Sequence, residues 1–186
     1  SITKLWNKNG ATAIDFSSVA GTARNCSGGL TPWGNIITCE EVISIADVNA
    51  DGYNDLGWHV EINPSTKTVV RKLWAMGCGA KENIVIHSNR RTAYFGNDAN
   101  PGYLYKFVAT TMDDLSAGSL YVYTGPKTGN GNWVLLNNTT QPDRNNTMAL
   151  GSAAGATAFN GIEDVEIGPD GKIYFAVKGE NRVYRF

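Results

Sequence analysis

Alternating apolar and polar residues, interrupted every few positions by turn-forming residues, constrain the fold of this chain more than any other feature. The run GIEDVEIGPDGKIYFAVKGENRVYRF (Gly161–Phe186) shows turn signals at Pro169-Asp170-Gly171 and again at Gly179–Asn181. Side chains of a strand alternate between two faces, and an Asp-Gly pair favours the tight turns of antiparallel hairpins. The run therefore predicts antiparallel strands joined by short turns.

Three further stretches repeat this design: Gly57–Trp74, Glu82–Asp98 and Pro101–Gly125. Repeated antiparallel hairpins of this size are typical of β-propeller blades or of a sandwich. At roughly 40–50 residues a blade, the chain provides about four blades. We therefore predict an all-β, β-propeller-type domain over residues 1–186. Because four blades are the low end for closure, we expect it to form part of a larger propeller.

Helical signals are scarce. Only Thr111–Ala117 predicts a helical turn or two, with Thr111 as its cap. The segment of about residues 130–158 is rich in Asn, Thr, Ala and Gly and weakly periodic, so it predicts a long surface loop. The chain begins SITKLWN, without an initiator Met or a signal peptide, and stops in a strand-like run, so we expect a processed or truncated chain.

Charge and hydropathy exclude two kinds of partner. The chain has 16 Lys and Arg against 17 Asp and Glu, a net charge of −1. This balance argues against a nucleic-acid footprint or a basic membrane-binding surface. No stretch approaches the ~20 consecutive apolar residues of a transmembrane helix. We therefore expect no nucleic-acid partner and no transmembrane segment.

The sharpest local motif is DVNADGYND, which runs from Asp47 to Asp55. Calcium takes six to eight oxygen ligands at short range, and alternate acidic and amide residues around a tight bend bring such oxygens together. The predicted ligands are Asp47, Asn49, Asp51, the backbone carbonyl of Tyr53, and Asp55. The motif predicts an inserted calcium loop with a structural role, and a metal-free hairpin turn is the alternative.

A second motif, NCSGGLTPWGNIITCEE, brings Cys39, Glu40 and Glu41 to a strand end. A thiolate among carboxylates is a sensible ligand set for a transition metal. On spacing alone, a buried structural Cys39 beside solvated glutamates is the favoured interpretation. The chain has three cysteines, an odd number, so a pair such as Cys26 with Cys78 plus a free thiol remains an alternative to a thiolate ligand.

Acidic residues also gather at other strand ends. Glu163 and Asp164 are neighbours in a strand-like run, so their side chains point to opposite faces and at least one meets something other than solvent. Glu82 and Asp98 each lie near the end of a predicted strand. An exposed acidic strand is the alternative interpretation for the Glu163 region.

Taken together, these segments resemble the PhoX-type alkaline phosphatase family. NCSGGLTPWGNIITCEE is similar to the Thr-Pro-Trp-Gly…Thr-Cys-Glu-Glu signature of that family. KENIVIHSNRRTAYFGNDANPGYLYKFVA and NGIEDVEIGPDGKIYFAVKGENRVYRF resemble two further family segments, in the same order. The similarity covers most of Asn25–Phe186, apart from the Asp47–Asp55 insertion and the predicted loop.

The resemblance implies a secreted, periplasmic or cell-surface propeller that hydrolyses phosphate monoesters with iron and calcium ions in its central channel. It implies that Cys39 is an iron ligand and that Glu82 and Glu163 complete the iron carboxylates, all three being catalytic through the metal. Glu40, Asp98 and Asp164 are implied as calcium ligands or as neighbours of the ligands. Small phosphate esters are then the substrates.

Two features favour a second hypothesis: the family's phosphate-gripping arginine corresponds to Gly161, and the Asp47–Asp55 loop is inserted. The histidine before the family's glutamate corresponds to Lys81, which we expect to offer a substitute positive charge without the fork of an arginine. A non-catalytic, calcium-binding surface protein, structural or adhesive, on the same propeller is therefore the alternative. The expected macromolecular partner in either case is the remainder of the propeller or a surface assembly.

Overall fold

The computed structural model describes the strands Lys4–Trp6 and Ala13–Asp15 and all of residues 22–186. This described part contains fourteen strands, two short α-helices and two single 3-10 turns. The strands are β1 (Lys4–Trp6), β2 (Ala13–Asp15), β3 (Asn25–Leu30), β4 (Ile36–Glu40), β5 (His59–Asn63), β6 (Thr68–Lys72), β7 (Lys81–Ile86), β8 (Thr92–Asn97), β9 (Leu104–Thr111), β10 (Asp114–Thr124), β11 (Asn132–Leu135), β12 (Ile162–Ile167), β13 (Ile173–Val177) and β14 (Arg182–Arg185). The helices are α1 (Gln141–Asn145) and α2 (Thr147–Ala153), and the 3-10 turns cover Trp74–Met76 and Lys178–Glu180. Neither helix has the length or the apolar character of a membrane span.

Every strand pair in the described part is antiparallel, and within each sheet the strands lie side by side in chain order. Strands β3 to β6 form a four-stranded sheet, β7 to β11 a five-stranded sheet and β12 to β14 a three-stranded sheet, while β1 pairs with β2. This meander order is that of propeller blades. It confirms the predicted all-β class, and among the described residues the sheets do not close into a ring.

The strongest turn signals lie at the observed turns. Strands β12 and β13 pair on either side of Pro169-Asp170-Gly171, where Gly171 has a φ of +75°. Strands β13 and β14 are joined through Gly179–Asn181, and Asn181 has a φ of +50°. Glycine and asparagine tolerate this left-handed backbone better than other residues. The predicted hairpins of Gly161–Phe186 are therefore confirmed.

Two local predictions differ from the structure. The helix predicted at Thr111–Ala117 is wrong: the segment is a tight hairpin between β9 and β10, in which Asp113 has a φ of +62°. The segment of about residues 130–158 contains β11, α1 and α2 rather than loop alone. Helix α1 begins with a capping box, in which Thr140 and Asp143 each accept a hydrogen bond from the other's backbone N–H.

The first strands of the three large sheets pack directly against one another. Strand β7 contacts both β3 and β12. A Cβ added at Gly29 of β3 would collide with the backbone carbonyl oxygen of Ile84 on β7. A Cβ added at Gly96 of β8 would collide with the side chain of Ile162 on β12. Glycine at these two positions permits the close approach, which draws the three sheets together.

Two apolar clusters fill the space between the sheets. The first lies between the β3–β6 and β7–β11 sheets and includes Phe95, Tyr105 and Phe107. The second joins β12 and β13 to the five-stranded sheet and includes Phe159 and Phe175, whose rings meet edge to face at 5.2 Å. Burial of each such aromatic side chain stabilises the fold by roughly 1.5–3 kcal/mol.

Lys81 is a charged residue inside the first cluster. Its side chain is fully buried, and its Nζ has no hydrogen-bond partner. The Nζ atom lies 4.4 Å from the ring centroid of Phe95 and 5.4 Å from that of Tyr105. Burial lowers the pKa of Lys81 from its ordinary value of 10.5 to about 8, because the apolar surroundings disfavour the charged form. Lys81 therefore does not offer a positive charge at the molecular surface.

We predict that Lys81→Met raises the free energy of unfolding at pH 7 by about 3 kcal/mol, the equivalent of this pKa difference. At pH below about 8 both states are protonated, and the folded state bears the cost of a buried ammonium. Between about 8 and 10.5 the folded state releases the proton first, so the wild-type protein becomes more stable as pH rises. Urea unfolding across this range measures both effects. The exposed Lys172→Met is the control, and an equal pH dependence in wild type and Lys81→Met would contradict the prediction.

Candidate metal centre

The convergence of the first strands brings a thiol and two carboxylates together. The Sγ of Cys26 on β3 and carboxylate oxygens of Glu41, just after β4, and Glu82, on β7, all lie within 4.8 Å of one another. Glu82 is buried, Glu41 is half-buried and Cys26 is exposed. In the part of the chain that the structure describes, this is the one set of three or more His, Cys, Asp or Glu side chains at such distances. We call it the thiol–carboxylate group.

The hairpin of β3 and β4 positions two members of this group. Asn25 pairs with Glu40, and the N–H of Glu41 donates to the carbonyl oxygen of Arg24 at 3.1 Å. The register shifts immediately after Asn25, in the part of β3 that carries Cys26. Such a bulge re-aims the side chain of the bulged strand. The Cys26 thiol consequently meets Glu82 on the neighbouring sheet.

The acidic surroundings change the titration of the group. The Sγ of Cys26 donates a hydrogen bond to Oε1 of Glu82 at 2.7 Å. This hydrogen bond, with burial and the negative charges of Glu82 and Glu41, raises the pKa of Cys26 from 9.0 to about 11. Burial raises the pKa of Glu82, and the charges of Glu163, Glu41 and Asp98 raise it further. Carboxylates that repel one another in this way favour a cation among them.

Two of the predicted ligands lie beside the group and are bridged by a lysine. The Nζ of Lys178 is 2.7 Å from Oδ2 of Asp98 and 2.6 Å from Oε1 of Glu163. Glu163 is on β12, Asp98 follows β8, and Lys178 follows β13. We call this arrangement the Lys178 bridge.

Two other predicted ligands are occupied elsewhere. Cys39 is fully buried in the first apolar cluster, where burial raises the pKa of its thiol. Glu40 is also fully buried; it forms an ion pair with Lys72 at 3.0 Å and accepts hydrogen bonds from the N–H groups of Gly57 and Trp58, both at 3.0 Å. The structure does not bring either residue into the thiol–carboxylate group.

Asp164 points away from Glu163, as the strand alternation predicts. It is exposed, contacts the side-chain amide of Asn83, and accepts a hydrogen bond from the N–H of Val165 at 3.0 Å. All three cysteines are free thiols, so Cys26 and Cys78 do not pair.

The loop Asp47–Asp55 turns its carboxylates onto its own backbone. Asp47 accepts hydrogen bonds from the N–H groups of Asp51, at 3.0 Å, and Gly52, at 2.9 Å. Asp55 accepts from the N–H of Val48 at 3.3 Å. The other two predicted ligands, Asn49 and Tyr53, both donate to Asp51. The three carboxylates of this loop do not form a set within 4.8 Å of one another.

Sequence reasoning considered Glu41 only in a candidate ligand set with Cys39 and Glu40, and it assigned no metal-binding role to Cys26. The available signal was the Thr31-Pro32-Trp33-Gly34 turn, because a hairpin closed there places residues 24–26 opposite residues 39–41. No comparable sequence pattern predicts the bulge that directs Cys26, rather than a neighbouring residue, toward Glu82.

Comparison with known proteins decides the family. The family model described as "Alkaline phosphatase PhoX" matches residues 7–184. The chain belongs to the PhoX alkaline phosphatase family. No curated protein matches the chain.

A solved structure of PhoX from Pseudomonas fluorescens, in complex with the transition state analogue vanadate, shares the fold. The two align with a TM-score of 0.67 and 24% sequence identity, over 83% of this chain and 39% of that chain. This likeness confirms the predicted propeller fold. The chain spans about two fifths of the length of the matched PhoX chain.

The donor set of this PhoX-family chain fits a metal ion. Cys26 provides a soft sulfur ligand and Glu41 and Glu82 provide hard oxygen ligands, a combination suited to a transition metal. Asp98 and Glu163 lie alongside, and both carboxylates are paired with Lys178.

We predict that Glu82→Gln accelerates alkylation of Cys26 by iodoacetamide at pH 8 about 10- to 100-fold in metal-free protein. Removing the negative hydrogen-bond acceptor lets the pKa of the thiol fall toward 9.0, so the reactive thiolate becomes more abundant. Mass spectrometry of the labelled peptide gives the rate, and the buried thiols of Cys39 and Cys78 serve as unreactive internal references. The exposed Glu166→Gln is the matched control. Equal rates in wild type and Glu82→Gln would contradict this account of Cys26.

Proposed function

We propose that the chain acts, within its propeller, as a metal-dependent hydrolase of phosphate monoesters. The observation that carries this proposal is the meeting of Cys26, Glu41 and Glu82 at the convergence of the first strands in a PhoX-family chain. A purely structural propeller has little use for a thiol among carboxylates that raise one another's pKa values. Family membership supports a secreted, periplasmic or cell-surface location and small phosphate esters as substrates.

The proposed metals are iron and calcium. Glu82 and Glu163 are the proposed iron carboxylates, and Asp98 and Asp164 are proposed around them. Cations held by these residues would supply Lewis-acid chemistry: they would bind phosphate oxygens, stabilise the charge that develops in the transition state, and lower the pKa of bound water. Cys26 is the thiol that the geometry favours as the sulfur ligand. Cys39 remains a prediction from the resemblance, one strand away.

The protein's own contribution is to position these ligands rigidly. Glu82 sits on β7, which is held between β3 and β12, so its carboxylate has little freedom to move. Glu40 does not face a substrate, because Lys72 and two backbone N–H groups occupy its oxygens. It instead fixes the end of β4, and with it Glu41. Ligands held on packed strands are more precisely placed than ligands on loops.

One observation favours the alternative, a calcium-binding propeller without turnover. Gly161, which corresponds to the arginine expected from the family, provides no side chain to grip phosphate. The nearest cationic side chain is that of Lys178, whose ammonium is already paired with Asp98 and Glu163. The Asp47–Asp55 loop supplies a calcium role that needs no catalysis.

We predict that the full-length protein, loaded with iron and calcium, hydrolyses p-nitrophenyl phosphate and that Glu82→Gln lowers the rate about 100-fold or more. The charge of this carboxylate is required to hold the cations, so the loss follows from ligand removal. Release of p-nitrophenol measures the rate, and Glu166→Gln, on the exposed face of β12, is the control expected to keep activity. Absence of hydrolysis by the metal-loaded wild-type protein would refute the phosphatase proposal.

Elemental analysis of the protein from its native source separates the two functions. Iron near two per chain together with calcium is expected for the phosphatase. Calcium without iron would favour the structural or adhesive alternative.

We propose that the Asp47–Asp55 loop binds calcium, and we predict that calcium at about 100 times its Kd raises the Tm by roughly 5–10 °C. Asp51→Asn is expected to abolish most of that rise, because Asp51 accepts hydrogen bonds from two of the other predicted ligands of the loop, Asn49 and Tyr53. Thermal unfolding with and without calcium measures the effect. Asp170→Asn, in the turn between β12 and β13, is the control. A rise in Tm that Asp51→Asn leaves unchanged would place calcium elsewhere.

A further inference from the structure

Lys178 occupies an unusual place for a surface lysine. It follows β13 and begins the 3-10 turn Lys178–Glu180, yet its ammonium reaches two carboxylates from different sheets. The Nζ atom lies 2.7 Å from Asp98, at the end of β8, and 2.6 Å from Glu163, on β12. Asp98 and Glu163 each place one carboxylate oxygen at ion-pair distance from the same ammonium. A position between two such oxygens suits a cation.

The backbone around Gly161 is shaped to admit the lysine. A Cβ built at Gly161 would lie 3.0 Å from both Cγ and Cε of Lys178 and 2.9 Å from Oδ1 of Asp98. Gly161 also has a φ of +77°, which side chains rarely adopt. The N–H of Lys178 donates to the carbonyl oxygen of Gly161 at 3.0 Å, so the two residues are held together by backbone and by packing. The aliphatic part of the Lys178 side chain fills the space that a side chain at Gly161 would occupy.

The bridged carboxylates belong electrostatically to the thiol–carboxylate group. The charges of Glu163 and Asp98 both act on Glu82, which is hydrogen-bonded to Cys26. Side-chain exposure falls from 56% at Lys178 to 34% at Glu163 and 11% at Asp98, so the ammonium caps the carboxylates from the solvent side. One fixed positive charge therefore balances part of a shared acidic centre.

We propose that the Lys178 ammonium takes the place of one divalent cation between Asp98 and Glu163, so that this chain binds one cation fewer than its carboxylates provide for. The inference rests on the proposed function only in treating this centre as a cation site. A lysine at this position also limits which cations the centre accepts: the thiol–carboxylate group stays available to a transition metal, and the two bridged carboxylates do not take calcium.

The test is a calcium titration of chelator-treated, full-length protein by isothermal calorimetry. Lys178→Met is expected to bind one more Ca²⁺ per chain than wild type, and Lys178→Arg, which keeps the positive charge, is expected to match wild type. Lys127→Met is the matched control: it removes an ion pair at 2.6 Å but frees only one carboxylate, Glu180. Adding Asp98→Asn to Lys178→Met is expected to abolish the gained site.

Equal calcium stoichiometry and affinity in wild type and Lys178→Met would overturn the proposal, because calcium would then either displace the lysine or not bind there at all. Lys178→Gln replaces Lys178→Met in the same comparison if circular dichroism shows that the methionine variant does not fold. The difference in calcium count is read without any phosphate ester. If the wild-type protein hydrolyses no phosphate ester but Lys178→Met gains the calcium site, the proposed function is refuted and this inference is supported.

Discussion

Direct contact between the first strands of neighbouring sheets is the constraint on which the rest of the structure depends. Strand β7 lies against both β3 and β12, and the approach is close enough that Gly29 cannot carry a side chain without striking the backbone of β7. Side chains that leave these strands at the same level therefore have to share one small space. The thiol of Cys26 on β3 and the carboxylate of Glu82 on β7 meet because the backbones meet, and the charge of Glu163 on β12 acts on Glu82 from alongside.

That meeting has an electrostatic consequence. Two ionised carboxylates within 4.8 Å of each other repel by roughly 3 kcal/mol or more at an effective dielectric constant of about 20. Two other buried acids are paired with a cation: Glu40 with Lys72, and Glu61 with Arg71, while Trp33 and Asn35 also donate hydrogen bonds to Glu61. Within residues 22–186, no lysine or arginine pairs with the thiol–carboxylate group, and the Lys178 bridge reaches only its neighbours. The unbalanced charge is the physical argument for a metal at this position.

The hairpins and the family could be predicted from the sequence, because both depend on local residue patterns. Pro169-Asp170-Gly171 demands a turn whatever surrounds it, and the Thr-Cys-Glu-Glu run ending at Glu41 is a long match. The choice between Cys26 and Cys39 is not local. It depends on a bulge in β3 and on which strand faces the neighbouring sheet, and the same spacing of residues is compatible with either thiol. Helix α1 was missed although its capping box is a local signal, since the Asn-rich composition around it suggested a loop.

The pairing of Gly161 with Lys178 shows why a departure from the family pattern cannot be judged one residue at a time. An arginine placed at residue 161 would need a backbone with a φ of +77° and would collide with the lysine stem and with Asp98. Restoring the expected side chain therefore requires that Lys178 leave and that the backbone change. Gly161 and Lys178 form one structural unit. Its positive charge is carried by Lys178, just after β13, rather than by residue 161, just before β12. Asp98 and Glu163 decide whether this positive charge binds substrate or replaces a metal ion. Because both carboxylates are paired with the ammonium, they favour the replacement of a metal ion.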